Sequence, residues 1–381
     1  MSVAGLEAQA DRAAAAGDLA AARRSLEQAV SAGNAPLELW IKLSAVRRAL
    51  GDVRGAIDAV DHGLALSPLD FSALLARAML LERSGDPNAA AAFGKAVAQL
   101  PRGEDFPKAL ESVIEHAKSR AGEHQAAVEE RLLQTVPGTV SNGQRRRLER
   151  FASNTSRRTR HFHQEPTNFH FPGLPEIEFH DAGQFPGIRE LEAATDAIRS
   201  EYEALIRSER GELVPYTQYP EHVPLAQWKE LNNNRDWTAI HLLQNGRTVE
   251  ANAKHCPATI ELLSKLPQPD IPGAAPNAMF SLLAPKTRIP PHTGVANVRL
   301  VAHLPLIVPR DCGFRVGATT RGWDMGEAFV FDDTIEHEAW NDSDQLRVVL
   351  IFDLWAPNLE RAERGAIAQM ISSAGVSFKG E

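Results

Sequence analysis

Asn297-Val298-Arg299-Leu300-Val301-Ala302-His303-Leu304-Pro305-Leu306 alternates with a period of two. Successive side chains of an extended strand point to opposite faces. Val298, Leu300, Ala302 and Leu304 therefore share one face, and Arg299, Val301 and His303 share the other. The first face is core. The second carries a cation and an imidazole back to back with that core, which predicts the interior of a pocket. Residues 346–355 repeat the design: Leu346, Val348, Leu350, Phe352 and Leu354 point one way, and Arg347, Val349, Ile351 and Asp353 the other. Arg347 begins an otherwise apolar face, where an unpaired guanidinium is costly. Its planar fork of donors matches the two oxygens of a carboxylate, so an anionic ligand is expected there.

Around these two strands, short apolar runs at 237–243, 278–283, 314–316 and 328–331 are broken by Pro, Gly and Asn-Asp turns. Such spacing predicts a sandwich or barrel. An amphipathic helix is expected over 186–210, with Ile188, Leu191, Ala194, Ile198, Tyr202 and Leu205 on one face, and a second over 360–373. His292, in Pro290-Pro-His-Thr-Gly294, and His337 are expected just outside strands, where they can meet at a metal in the same pocket. Imidazole suits iron, zinc, copper and nickel alike. Few protein ligands beside an anion clamp argue for iron, because they leave positions for a chelating co-substrate and dioxygen. The usual non-haem iron set is His-x-Asp and a distant His, yet the position two after His292 is Gly294.

The ordered blocks resemble the aspartyl/asparaginyl β-hydroxylases: His292-Thr-Gly294, Asn297-Val-Arg299, His303-Leu304, Phe331-Asp332-Asp333, Glu336-His337-Glu338, Trp340-Asn341, Arg347 and Asp353-Leu-Trp-Ala-Pro357. Phe171-Pro-Gly-Leu-Pro175, Gln244-Asn-Gly-Arg247 and Phe280-Ser281-Leu282-Leu283 extend the resemblance over residues 168–357. That family characteristically has glycine where the carboxylate ligand would be, so Gly294 matches it. The resemblance implies a double-stranded β-helix, a cupin-like jelly roll, that binds Fe(II) and 2-oxoglutarate. It implies that O2-dependent decarboxylation of 2-oxoglutarate is coupled to hydroxylation of an aspartyl/asparaginyl-type peptide or protein. A lipid or small-molecule substrate, or an inactive binding domain, are the alternatives. His292 and His337 carry over as iron ligands and Arg347 as partner of the distal carboxylate of 2-oxoglutarate. Ser281 carries over as a hydrogen-bond partner of that carboxylate, and His303 lies near the metal-side one. The family often has an arginine at the place of Val301; Arg299, two residues away on the same face, is the candidate to reach the co-substrate instead. Asp333, Glu336 and Glu338 are the carboxylates nearest the iron ligands in sequence, and Gly294→Asp is expected to add a third ligand. Trp237, Gln244 and Arg247 are candidates for the substrate entrance.

Upstream, Gly17-Asp18, Gly51-Asp52 and Gly85-Asp86 recur every 34 residues, the tetratricopeptide period. Trp40, Leu43, Ala56 and Pro68 complete the clearest copy. Such helix pairs form a curved surface that binds a peptide or another domain, so a peptide or protein substrate is the expected partner. From Asp105 to Thr135 the apolar spacing stays helical and predicts a capping helix pair. Arg145, Arg146, Arg147, Arg150, Arg157, Arg158 and Arg160 then read as a solvated face, and His161 and His163 as strand or loop surface. The chain is thus expected to be multidomain α + β: a tetratricopeptide α-solenoid (1–103), a helical cap and basic linker (104–165), the dioxygenase-like domain with flanking helices (166–357) and a C-terminal helix and tail (358–381).

The 381 residues exceed one ordinary domain, and 43% hydrophobic with 24% charged residues suits a globular core. A formal net charge of −8 argues against general nucleic-acid binding. Two cysteines suit a reducing compartment, the acidic alanine-rich N-terminus is unlike a signal peptide, and no apolar run approaches a membrane span. A cytoplasmic protein is expected.

Overall fold

The computed structural model describes residues 2–101, 106–208, 211–220, 222 and 224–375. The expected boundary at 103/104, the start at Asp105, the helix end at Arg210 and the last residues of the tail lie outside them. Two compact units emerge, Met1–Arg160 and His161–Glu381.

The first unit opens with three helix pairs: α1 (Val3–Ala15) with α2 (Leu19–Ser31), α3 (Leu37–Ala49) with α4 (Val53–Leu66), and α5 (Phe71–Arg83) with α6 (Ala89–Val97). The repeated Gly-Asp dipeptide accounts for each turn. Gly17, Gly51 and Gly85 take φ of 80°, 84° and 74°, a left-handed helix exit that side chains with a Cβ disfavour. Asp18 and Asp52 then cap the next helix, each accepting a backbone N–H at 2.9 Å, from Ala21 and Gly55. Buried Ala22, Ala56, Ala59, Ala78 and Ala96 let paired helices approach closely. These are tetratricopeptide-type repeats.

After them the expected capping pair is a single 27-residue helix, α7 (Lys108–Gln134). Gly122 in its middle costs about 1 kcal/mol relative to alanine, too little to break a helix whose Ala117 and Ala121 pack against Phe93. The arginine-dense stretch forms α8 (Asn142–Thr155), opened by a Ser141/Gln144 capping box. None of its arginines is buried.

The second unit begins at His161, five residues before the expected boundary, because its opening segment is held by the β-domain. Glu165 N–H donates to Thr334 O at 2.8 Å, and the Gln164 side chain donates to Asp332 at 2.5 Å and accepts from Asn297 at 2.9 Å. Then follow β1 (Phe179–His180), α9 (Ile188–Ala193), α10 (Thr195–Arg207), β2 (Val214–Pro215), β3 (Trp237–Gln244), β4 (Arg247–Thr248), α11 (Glu250–Ala253) and α12 (Pro257–Ser264). The barrel proper is β5 (Ala278–Leu283), β6 (Thr287–His292), β7 (Arg299–Ile307), β8 (Cys312–Val316), β9 (Thr319–Arg321), β10 (Phe329–Phe331), β11 (His337–Asn341) and β12 (Arg347–Trp355), closed by α13 (Arg361–Ala374).

One sheet runs β1-β10-β7-β12-β5-β3-β2 with β4 beside β3, and the other β6-β11-β8-β9. The chain passes back and forth between them, which makes a double-stranded β-helix. The outward face of the large sheet buries Phe280, Leu304, Leu350 and Phe352 against Tyr202 of α10, Leu263 of α12 and Ile367 of α13. The helix after residue 360 is therefore part of this core and not a separate tail. The inward face turns Val301, Phe331 and Val349 toward Phe314 and Val316 of the small sheet. The alternation in 297–306 and 346–355 thus orients both strands as their sequence predicts.

Neither β6 nor β11 was among the expected strands. Thr-Arg-Ile-Pro-Pro-His carries two prolines, which only an edge strand tolerates, and β6 is at an edge. His-Glu-Ala-Trp-Asn alternates in burial but not in polarity, because two of its three buried positions are the polar His337 and Asn341. Among the described residues no helix is long and apolar enough to cross a membrane, and Cys256 and Cys312 are free thiols.

Candidate active site

His292 ends β6 and His337 begins β11, and the two are direct register partners. They lie inside paired strands, not just outside them as expected. Their rings approach to 4.1 Å between centroids. His292 Nδ1 lies 2.8 Å from Pro290 O and His337 Nδ1 lies 3.1 Å from Ile335 O. A carbonyl only accepts, so both Nδ1 atoms carry the proton and both Nε2 lone pairs are left for another partner. Burial pushes the His292 pKa down to about 4, and burial pushes His337 well below its ordinary value, with His292 adding to the effect. Two neutral imidazoles of fixed tautomer are the form that binds a metal.

Deeper between the sheets, Arg347 is 1% exposed, and its Nε and Nη1 have no hydrogen-bond partner. Its guanidinium lies 5.2 Å over the Trp323 ring, and burial lowers its pKa to about 10. Two buried donors without an acceptor are a standing cost of a few kcal/mol, about 1–3 per group, that an anion removes. On the adjacent strand, Ser281 Oγ accepts from Trp237 Nε1 at 3.2 Å, which leaves its hydroxyl proton to donate. Trp323 Nε1 lies 3.3 Å from His303 Nδ1 and donates to it, so the proton of neutral His303 sits on Nε2. Burial and the nearby Arg347 hold His303 well below its ordinary pKa. Trp323 escaped sequence reading because its loop carries no strand pattern. All of these groups except Trp323 line one cavity of about 660 Å³.

Arg299, expected to reach the co-substrate in place of the residue at 301, is held by other partners. Its guanidinium is committed to Asp333 at 2.9 Å and Asp353 at 3.1 Å, all three being buried. An arginine already balanced by two carboxylates has little charge left for a co-substrate. Asn277 completes this network, donating backbone and side-chain N–H groups to Asp353 at 2.8 and 2.9 Å. Val301 lines the cavity without replacing the expected cation.

Gly294 is glycine for a reason the sequence did not reveal. A Cβ built there would lie 2.0 Å from Asp333 Oδ2 and 2.3 Å from its Cγ. The Asp333 carboxylate fills the space that a side chain at 294 would need, and its Oδ1 is buried without a partner. Burial pushes the Asp333 pKa up to about 7 even though Arg299 opposes the shift. Gly294→Asp therefore collides with Asp333 before it offers a third ligand. Glu336 and Glu338, by contrast, are held by Arg315, the former at 2.9 Å. Asp332 shapes the turn before His337, accepting from Thr334 Oγ1 at 2.6 Å.

Trp237 is buried, with Tyr216 stacked on it at 3.8 Å between ring centroids and Trp228 at 6.2 Å. Trp228 also meets the His292 ring edge-on at 5.0 Å. Together with Gln244 they line the cavity. Arg247 is exposed on the β4 hairpin and does not line it.

Residues 192–357 match the aspartyl/asparaginyl beta-hydroxylase family. This segment belongs to that family. Human aspartyl/asparaginyl beta-hydroxylase is 32% identical over 182 residues, covering 47% of this chain and 22% of the human protein. The ornithine lipid ester-linked acyl 2-hydroxylase of Rhizobium tropici is 34% identical over 196 residues, covering 51% of this chain and 66% of that protein. Aspartate beta-hydroxylase domain-containing protein 2 of Xenopus tropicalis is 32% identical over 209 residues, with 54% of each chain covered. The chain thus spans from about a fifth to two thirds of the length of these relatives. The hydroxylase segment contains the paired histidines, Arg347, Ser281 and His303.

Proposed function

We propose that the second unit is an Fe(II)- and 2-oxoglutarate-dependent dioxygenase that hydroxylates a neutral, asparaginyl-type side chain of a peptide or protein. The observation that carries this reading is Arg347, a buried guanidinium with two unpartnered donors inside the same cavity as two neutral histidines. His292 and His337 would hold the iron through Nε2. Bound iron supplies the activation of dioxygen that amino-acid side chains cannot, with decarboxylation of 2-oxoglutarate to succinate and CO2.

The chain's own residues do the rest. Arg347 takes the distal carboxylate of 2-oxoglutarate in a charge-assisted fork, and Ser281 donates its hydroxyl proton to the same group. His303, protonated at Nε2, donates to the carboxylate nearer the histidines. Aromatic walls from Trp228 to Phe314 exclude water, which strengthens each of these contacts. Asp333, beside Gly294 and with Oδ1 free, is placed to hold a water where other sites of this kind have a carboxylate ligand.

Charge selects the substrate's reacting group. Among the described residues lining the cavity the Lys and Arg side chains are Arg299 and Arg347 alone. Arg347 is taken by the co-substrate and Arg299 is balanced by two aspartates, so no cation remains for a substrate carboxylate. An amide is accepted where an aspartate would be left buried and unpaired. The tetratricopeptide repeats would engage the rest of the peptide or protein. A lipid acyl chain is the second reading. Apolar Val301, Met279 and Ile351 in the cavity favour it, as does the relative named for acyl 2-hydroxylation.

Anaerobic titration with Fe(II) and 2-oxoglutarate should raise a visible charge-transfer band, and aerobic incubation should release succinate. A protein that shows no band, or whose His337→Ala variant behaves as wild type in both assays, refutes the proposal.

A further inference from the structure

A second cluster of metal-ligating side chains lies on the surface, apart from the cavity. His161 and His163 flank Phe162, whose ring packs against the inner core and under the Arg315 guanidinium at 5.7 Å. With Phe162 anchored inward, both imidazoles turn outward, edge to face with centroids 4.1 Å apart. Across from them stands Glu176. Its Oε1 accepts the Gln164 backbone N–H at 3.0 Å, which fixes the carboxylate. Its Oε2 then lies 3.1 Å from His163 Nδ1 and 3.5 Å from His161 Nε2.

We propose that His161, His163 and Glu176 form a site for a divalent late transition metal of the zinc class. One donor atom from each residue lies within 4.8 Å of the other two. Two ligands at about 2.0–2.1 Å from a tetrahedral zinc are separated by roughly 3.3 Å, so the spacings of 3.1 Å, now a hydrogen bond, and 3.5 Å need little change to become those of ligands around an ion. Two imidazoles and a carboxylate are a recurrent zinc donor set. With side chains 57%, 63% and 31% exposed, an ion can enter from solvent and complete its shell with water.

The position gives the site a consequence. Gln164, next to His163, forms a β-bridge with Ile335 and holds Asp332, in the segment that leads into His337. A metal joining residues 161–163 to Glu176 would clamp that segment against the barrel.

The test uses the full chain with His292→Ala and His337→Ala, which removes the other imidazole pair. Anaerobic calorimetry and visible spectroscopy with Co2+, then Zn2+, should give one equivalent bound with micromolar or tighter affinity. Adding His161→Ala or Glu176→Gln should weaken it at least tenfold, and the melting temperature should rise with Zn2+ only while all three ligands are present. Because the three side chains are exposed, the melting temperature in chelator should be unchanged by these substitutions. Absence of a bound equivalent, or binding indifferent to all three residues, overturns the proposal and leaves the cavity reading untouched.

Discussion

Replacing Gly294 by alanine should dismantle the Asp333–Arg299 pair, although the change adds one methyl group. The new Cβ would lie 2.0 Å from Asp333 Oδ2, and ordinary contact begins near 3.4 Å, so the carboxylate must retreat by about 1.4 Å. Its bond to Arg299 Nη2 is 2.9 Å, and a retreat of that size directed away from the guanidinium takes it out of hydrogen-bonding range. A backbone shift instead would strain two hydrogen bonds. Gly294 N–H donates to Asp333 O at 2.7 Å, and its carbonyl accepts from Thr167 at 2.9 Å. Breaking a buried pair costs about 3–5 kcal/mol, and because Arg299 keeps Asp353 the lower end, about 3 kcal/mol, is expected. Urea denaturation of Gly294→Ala, Asp333→Ala and the double variant would measure it. Asp333→Ala vacates the space, so the double variant should be no less stable than Asp333→Ala alone, and the two changes should show a coupling of at least about 2 kcal/mol. Gly294→Asp should recover metal affinity only when Asp333 is shortened to glycine or alanine. Additive losses, or a Gly294→Ala protein within about 0.5 kcal/mol of wild type, would mean that Asp333 does not fill this space.

Arg347→Lys keeps the charge but loses the fork, so KM for 2-oxoglutarate in the succinate assay should rise at least about tenfold; an unchanged KM removes Arg347 from the co-substrate site. Two peptides differing only in Asn or Asp at the reacting position should be hydroxylated with at least about a tenfold preference for Asn, the equivalent of 1.4 kcal/mol, and equal rates would reveal a cation that the charge balance overlooks. Asp52→Ala should cost the repeats about 1 kcal/mol by uncapping α4, read as a lower urea midpoint. The metal-free protein should lose stability as pH falls from 6.5 toward 4. Over that range the unfolded state takes up a proton at His292 that the folded state, with its pKa near 4, refuses, a loss of up to about 3 kcal/mol that is absent above pH 6.5. The slope should flatten in His292→Asn; the same slope in both proteins would trace it to other groups.

Local rules were sufficient for much of this molecule. A 34-residue period made of Gly-Asp turns specifies helix pairs, because a left-handed exit and an N-cap are decided within a few residues. Period-two alternation in 297–306 and 346–355 assigned each side chain to core or cavity, since a strand offers only two faces. It therefore foretold that Arg299, His303 and Arg347 point inward. The ordered motifs supplied the double-stranded β-helix by resemblance, but β6 and β11 themselves were not legible, because their own residues read as loops.

Partnership is what only the tertiary structure decided. Arg299 and Arg347 are both inward arginines, and nothing in their local sequence distinguishes the one balanced by Asp333 and Asp353 from the one left with open donors. That difference comes from strands brought together across 34 and 54 residues of chain. The same holds for Gly294, whose missing side chain is explained by a carboxylate 39 positions later, and for His161 and His163, which acquire Glu176 only when the chain returns. A sequence pattern reports what each residue presents to its own strand or helix. The charge it meets across the sheet is set by register and closure, which are properties of the whole barrel.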